Sequence, residues 1–361
     1  MFCRTGLSLF VSIIGLMAQA PPAGNFTFIP RADIEEVQEA IQKGLPNDAP
    51  VRTVSIANKF NVGVYTLNSR PSPAAAPRAP VTGWYHKDIA ELYYVVSGMG
   101  TWRVGGELEN PAQDDPNGRA DREIRGPSVG GVLKDYTDQK ITAGDVLIVP
   151  PGVPHSPGTM AQTTKIIRIV IDPKRVLPLH PAVGNPQPRV SRQAAAGKLP
   201  AKLPGTFTFI PKAEIEKTLK AIEVPGAYGD QAVRTIDLAN MNYRLGVYVL
   251  HTVKPSETAP SSGWYHTEIA ELYYVMKGSG TFMIGGSLES PVPDNPDSYS
   301  TKMVRGPSVS GKFKGATEQS IAAGDVLIAP IGVPHTPGKT AAAPRDILRI
   351  AVDPNKVLPL K

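Results

Sequence analysis

Nearly the whole chain is written twice. Asn25-Phe26-Thr27-Phe28-Ile29-Pro30 returns as Thr206-Phe207-Thr208-Phe209-Ile210-Pro211, and Gly83-Trp84-Tyr85-His86 returns as Gly263-Trp264-Tyr265-His266. Ala90-Glu91-Leu92-Tyr93-Tyr94-Val95 returns as Ala270-Glu271-Leu272-Tyr273-Tyr274-Val275, and Arg125-Gly126-Pro127-Ser128-Val129 as Arg305-Gly306-Pro307-Ser308-Val309. The copies close alike, with Val176-Leu177-Pro178-Leu179 and Val357-Leu358-Pro359-Leu360. A literal repeat of this length implies two copies of one fold. The 361 residues suit two domains of roughly 150 to 180 each. The expected division is 1–23 as a leader, 24–180 as the first domain, 181–205 as a linker and 206–361 as the second domain.

Within each copy the pattern is mostly strand. A short amphipathic helix follows Pro30, with Ile34, Val37 and Ile41 at helical spacing; Ile215, Leu219 and Ile222 repeat it after Pro211. Segments 51–56, 62–67, 92–96, 101–104, 146–149 and 166–171 are rich in Val, Ile, Thr and Tyr and lie between Gly/Pro turns. With 34 Gly, 37 Pro and only 19% charged residues, many turns and few long helices follow. The prediction is an all-β architecture: two jelly-roll barrels, each with a short N-terminal helix. Gly98 and Gly100 are expected to flank one hairpin turn and Pro150 and Gly152 to form another. The pairs Gly105-Gly106 and Gly285-Gly286 read as hairpin turns too, because no helix follows to make them phosphate loops.

The net charge of +6 does not mark a nucleic-acid binder. Arg189, Arg192, Lys198 and Lys202 stand without any acidic residue in the Pro/Ala-rich stretch 181–204, which reads as a solvated basic connector. At the N-terminus, Arg4, an apolar run from Gly6 to Met17 and Ala18-Gln19-Ala20 form the pattern of a secretory signal. That run is too short to span a bilayer, which needs about 20 residues. A secreted or periplasmic protein without stable membrane insertion after cleavage is expected. Cys3, the single cysteine, lies in this segment, so the remaining chain has no disulfide, thiolate ligand or Cys nucleophile.

Two spaced motifs carry the candidate chemistry. One is His86-x4-Glu91-x6-Gly98, repeated from His266 through Glu271 to Gly278. The other is Gly144-x5-Pro150-x-Gly152-x2-His155, repeated from Gly324 through Pro330 and Gly332 to His335. If the strands bring them together, two imidazoles and one carboxylate make a ligand set for a first-row divalent metal with open positions. A buried carboxylate also calls for a cation or hydrogen-bond donors nearby. Trp84 and Trp264 share strand parity with His86 and His266, so they should face the same interior and line a substrate pocket. Tyr93 and Tyr273 share parity with Glu91 and Glu271 and are candidate phenolic acid/base residues. Arg125 and Arg305 are candidates to receive an anion or, more simply, loop arginines paired with carboxylates. His180 and His251 have no histidine counterpart in the other copy and are read as non-ligands.

These motifs resemble the two motifs of the cupin superfamily, and the resemblance covers nearly both repeats. It implies double-stranded β-helix barrels that usually hold a metal with three His and one Glu. The leading His of the family's first motif is replaced here by Trp84 and Trp264. Each site would therefore keep His86, Glu91 and His155, or His266, Glu271 and His335. The bicupin layout is similar to that of oxalate-degrading and flavonol-cleaving cupins, which implies Fe or Mn as cofactor, with Zn as the other candidate. The leading functional expectation is a metal-dependent oxygenase or decarboxylase acting on a small acid or phenol. The alternatives are a non-catalytic small-molecule or sugar-binding bicupin and a storage-like structural one. The expected partner is a small-molecule ligand, not nucleic acid, and a homo-oligomer stays open. Because ligating imidazoles must be neutral, metal retention is expected to fall below about pH 6.5.

Overall fold

The computed structural model of the protein describes residues 25–71, 80–180, 199–238 and 240–361. The leader segment lies outside these residues, as do Arg189, Arg192 and Lys198 of the basic linker. Among the described residues no helix is long and apolar enough to cross a membrane.

The first barrel consists of two antiparallel sheets of six strands. One has the order Thr208–Ile210, Val146–Val149, Ala90–Ser97, Thr164–Asp172, Phe60–Ser69, Asp48–Ile56. The other has the order Glu107–Gln113, Ser128–Lys134, Thr82–His86, His155–Met160, Met99–Val104, Thr137–Thr142. Their inward side chains share one core: Tyr93, Val95 and Leu147 from the first sheet pack with Trp102, Val104 and Ile141 from the second. In the second repeat two long strands, Ala270–Ile284 and His335–Asp353, run through both faces and join them into one ten-stranded sheet.

Partner choice differs from the sequence reading at three turns. The segments 90–97 and 99–104 do not pair with each other. The former pairs with 146–149 and 164–172, the latter with 137–142 and 155–160. Gly98, at φ +92°, therefore bends the chain from one sheet into the other instead of closing a hairpin. Pro150 to Gly152 does the same between 146–149 and 155–160, and the Gly105-Gly106 turn leads into a strand that pairs with 128–134. Turn residues report a local change of direction; in a rolled double sheet the next partner lies elsewhere in the chain.

The opening strands are exchanged between repeats. Thr27–Ile29 pairs with Val326–Ala329 of the second repeat, and Thr208–Ile210 pairs with Val146–Val149 of the first. Each brings two phenylalanines: Phe207 and Phe209 pack on the first barrel's core, Phe26 and Phe28 on the second's. A helix follows each strand, α1 (Arg31–Gln42) and α2 (Lys212–Ile222), as the periodicity predicts. Ile34, Val37 and Ile41 of α1 and Ile215 and Ile222 of α2 are buried in a single apolar cluster that also takes in strands of both repeats. At about 25 cal/mol per Å² of apolar surface, such burial holds the two barrels together far more firmly than any surface ion pair.

Two apolar residues at the end of the linker are packed against the first barrel. Leu199 and Leu203 pack beside Tyr85, Leu108 and Leu133. The backbone of this segment bonds to the first barrel, Pro200 O accepting from the Tyr85 hydroxyl at 3.0 Å and Ala201 O from Leu108 N at 2.9 Å. Only Lys202, among the linker's four basic residues, is described, and it is exposed.

Candidate metal centres

Strand alternation places three side chains of each repeat in one interior. Glu91 lies on the first sheet, opposite Val149 and Val170, while His86 and His155 lie on the second, opposite Ser128 and Trp84. All three are buried, and a ligand atom from each falls within 4.8 Å of the others. His266, Glu271 and His335 form the same group in the second barrel. His180 and His251 stand outside both groups. His180 bonds to Pro178 O at 3.0 Å, and His251 is paired with Asp346 at 2.6 Å.

The hydrogen bonds determine the imidazole tautomers. The Ser128 hydroxyl donates to Gly126 O at 2.9 Å, so it accepts from His86 Nδ1–H at 2.8 Å. The carbonyl of Val153 can only accept, so His155 Nδ1 donates to it at 3.0 Å. Both neutral rings then turn an Nε2 lone pair toward Glu91 Oε2, at 3.4 and 3.1 Å. The second barrel repeats the arrangement through Ser308 and Val333, with Nε2 to Glu271 Oε2 distances of 3.1 and 3.0 Å. Three acceptors facing one another repel unless a proton or cation lies between them. His155 Nε2 and His266 Nε2 have no hydrogen-bond donor.

Protonation of His86 or His266 is disfavoured at neutral pH. Burial pushes His86 down to about 4, against the pull of Glu91, and it lowers His266 as well. A divalent ion between the acceptors would offset their repulsion. Ligand bonds of about 2.1 Å at octahedral or tetrahedral angles put neighbouring donors roughly 3.0 to 3.4 Å apart, as found here between each imidazole and the carboxylate oxygen. The buried donor set and its spacing thus fit a metal. His–Ser and His–carbonyl bonds of this type commonly orient metal-binding imidazoles.

Each glutamate is held from behind. Glu91 Oε1 accepts from Arg168 Nη1 at 2.5 Å and Oε2 from the Tyr93 hydroxyl at 2.6 Å. Glu271 is held likewise by Arg349 and Tyr273. Burial opposes ionisation of both glutamates, but the histidines and the guanidinium outweigh it and hold each carboxyl well below its usual range. Tyr93 and Tyr273 are raised well above 10 by burial and by the adjacent carboxylate. The hydroxyls that parity marks as candidate proton carriers donate to the glutamates in this structure.

Arg168 and Arg349 escaped the motif reading. Their signal was a lone arginine inside the apolar strands Ile166-Ile167-Arg168-Ile169-Val170 and Ile347-Leu348-Arg349-Ile350-Ala351. Ser128 and Ser308 were visible only as part of a repeated segment noted for its arginine.

In front of the first cluster is a cavity of about 480 Å³. Trp84, Trp102, Leu67, Arg119, Arg125 and Pro157 contribute to its wall, together with His86 and Glu91. Trp84 faces inward as expected, edge-on to His155 with ring centroids 6.0 Å apart. The Arg125 guanidinium stacks on the Trp84 ring at 3.9 Å and lies 3.7 Å from Asp114. Trp264, Arg305 and His335 show the same stack, at 3.5 Å for the cation and 6.1 Å for the rings. The two mouths differ, since Arg119 corresponds in the repeat to Tyr299, which packs edge-on to Tyr228 at 6.1 Å.

No protein-family profile matches the sequence, and no curated protein matches it. Solved structures do share its fold. Salicylate 1,2-dioxygenase from Pseudoaminobacter salicylatoxidans, in a structure with gentisate, is 12% identical with a TM-score of 0.50, over 94% of this chain and 84% of that one. A point variant of the same enzyme gives 13% identity and a TM-score of 0.50, over 96% and 89%. The oxalate decarboxylase of Bacillus subtilis is more distant, at 12% identity and a TM-score of 0.37 over 82% and 68%. At these identities the likeness speaks for the fold alone. The likeness to the salicylate dioxygenase, with the duplicated barrels and their buried His/Glu/His clusters, gives this chain a bicupin fold, two barrels of the cupin type.

Proposed function

We propose that each barrel holds one divalent first-row metal ion, and that the first barrel presents its metal to a small acid or phenol for an oxygenase or decarboxylase reaction. The carrying observation is the meeting of His86 Nε2, His155 Nε2 and Glu91 Oε2 with no donor among the three. The His₂/carboxylate set favours Fe or Mn, with Zn as the other candidate. The fold shared with a salicylate dioxygenase supports an aromatic acid as substrate class.

A metal held there would supply Lewis acidity and the means to activate oxygen or a chelating substrate. The protein's part is positioning. Ser128 and Val153 O fix the imidazoles, while Arg168 and Tyr93 fix the carboxylate. Trp84 offers an aromatic surface to a ligand, and Arg125 offers a cation to an acidic group. In this reading Tyr93 and Tyr273 anchor the glutamates and do not carry protons. We further infer, from the basic start and apolar run at 1–20, that the protein is exported to the periplasm or secreted.

The test is elemental analysis of the purified full-length protein beside His86→Ala and His266→Ala. Oxygen uptake and carbon dioxide release with small aromatic and aliphatic acids follow. Two metals per chain, one lost with each substitution, and turnover abolished by His86→Ala are expected. A chain that takes up neither Fe, Mn nor Zn would overturn the reading. Ligand-dependent melting shifts without turnover would instead favour the non-catalytic binding bicupin, which the Trp84–Arg125 stack at the mouth also suits.

A further inference from the structure

Each cluster's glutamate has two oxygens, and only one faces the imidazoles. The other is occupied by an arginine, Arg168 on Glu91 and Arg349 on Glu271. Each arginine is 1% exposed and has further partners through Nη2. Arg168 Nη2 donates to Ile124 O at 3.2 Å and lies 3.1 Å from Asp48 Oδ1, with the Tyr65 ring at 4.3 Å. Arg349 repeats this with Val304 O and Asp230, both at 3.1 Å, and with Tyr248 at 3.9 Å. Burying an arginine in the middle of an apolar strand is costly unless it is fully paired. Both copies carry that cost at the same place, behind the glutamate.

We propose that Arg168 and Arg349 are positioning residues that restrict Glu91 and Glu271 to a single ligating oxygen, Oε2. A carboxylate free to turn can grip a cation through both oxygens and so fill a further coordination position. The planar fork of the guanidinium prevents the turn, because Asp48 and the Ile124 carbonyl keep it from following the carboxylate. The position saved stays open toward the cavity, where a chelating ligand needs it. Ile124 also belongs to the π-helical turn Ala120–Arg125, whose last residue stacks on Trp84. One guanidinium thus sets both the ligand oxygen and the wall opposite it.

This inference rests on the metal reading, and the experiment separates the two. Metal-free full-length protein carrying His266→Ala, which confines binding to the first barrel, is titrated with Co(II). Its affinity and visible ligand-field spectrum are compared with those after adding Arg168→Lys or Arg168→Met. Lysine keeps the charge without the fork, so R168K should fold, yet its cobalt spectrum should move away from the parent toward higher coordination. R168M should show the same spectral change, with affinity roughly 10- to 100-fold weaker. If R168M does not fold, R168K alone decides. A parent spectrum and affinity retained in R168K overturn the inference and leave the metal reading intact. A parent protein that binds no cobalt overturns both.

Discussion

The backbone N–H of Arg31 donates to Asp325 Oδ1 at 2.8 Å, so a carboxylate of the second repeat caps the helix of the first. Asp325 Oδ2 accepts from Ala322 N at 2.7 Å, which ties the cap to its own turn. Asp145 serves α2 in the same way, with Lys212 N at 2.7 Å and Thr142 N at 2.8 Å. The residues at the helix entrances, Pro30 and Pro211, make no side-chain cap. Gly144 makes room for the exchanged helix. A Cβ there would lie 2.8 Å from Lys212 Cγ, and its φ of +96° already disfavours other residues.

Each cap should therefore stabilise the whole chain and not just one repeat. Asp325→Ala or Asp145→Ala is expected to cost about 0.5 to 2 kcal/mol, in a single urea transition followed by circular dichroism and tryptophan fluorescence together. Two well-separated transitions in the wild-type protein would show that the repeats unfold independently.

The exchanged strands link each His/Glu/His cluster to the other repeat. Across the first barrel's inner sheet, Tyr65, Arg168, Tyr93, Leu147 and Phe209 stand opposite one another in one transverse row. Tyr248, Arg349, Tyr273, Leu327 and Phe28 form the matching row. Phe209→Ala should lower stability by up to about 3 kcal/mol, the ring being only partly buried. It should also weaken metal binding at His86/Glu91/His155 while sparing the second cluster. Phe28→Ala should do the reverse, with metal titrations of His86→Ala and His266→Ala backgrounds as the measurement. Equal effects on both clusters would contradict this crossed dependence.

Tyr93→Phe removes a hydroxyl bonded to Glu91 at 2.6 Å but leaves Arg168 to keep the carboxylate charged. Metal stoichiometry should be retained, with a stability loss of about 1.5 to 3 kcal/mol, typical of a hydrogen bond to a charged group. Paired elemental analysis and urea titration check this. Lost turnover at full metal content and unchanged stability would return Tyr93 to a proton-carrying role.

The pH response follows from two opposed shifts. Burial lowers His86 to about 4, so between pH 6.5 and 4 the unfolded chain takes up a proton that the folded protein refuses. Stability of the metal-free protein therefore falls as pH drops through that window. Asp48 and Asp230 are raised to about 6 by desolvation, which outweighs Arg168 and Arg349. Here the folded protein binds the proton first, so stability rises as pH falls from about 6 toward 3.8. Asp48→Asn removes one such gain and should steepen the loss between pH 7 and 4.5, read from urea midpoints. The same burial of His86 should let metal stay bound below pH 6.5, lower than an unperturbed histidine allows. Dialysis at pH 5.5 followed by elemental analysis tests this, and loss of half the metal near pH 6.5 would refute it.

The duplication, the two helices, most strands and all six cluster residues were legible in the chain, as was the inward face of Trp84. These follow from literal repetition and from side-chain periodicity, which assign a residue to a face without reference to distant segments. Tertiary structure decided which strands are neighbours. The glycine turns at 98 and 152 pass between sheets, and the opening strands change barrels, because a strand's hydrogen-bond partner depends on how the whole sheet rolls up. It also decided what lies behind each glutamate. Arg168 sits 77 residues from Glu91, and only the pairing of 90–97 with 164–172 brings the guanidinium to the carboxylate.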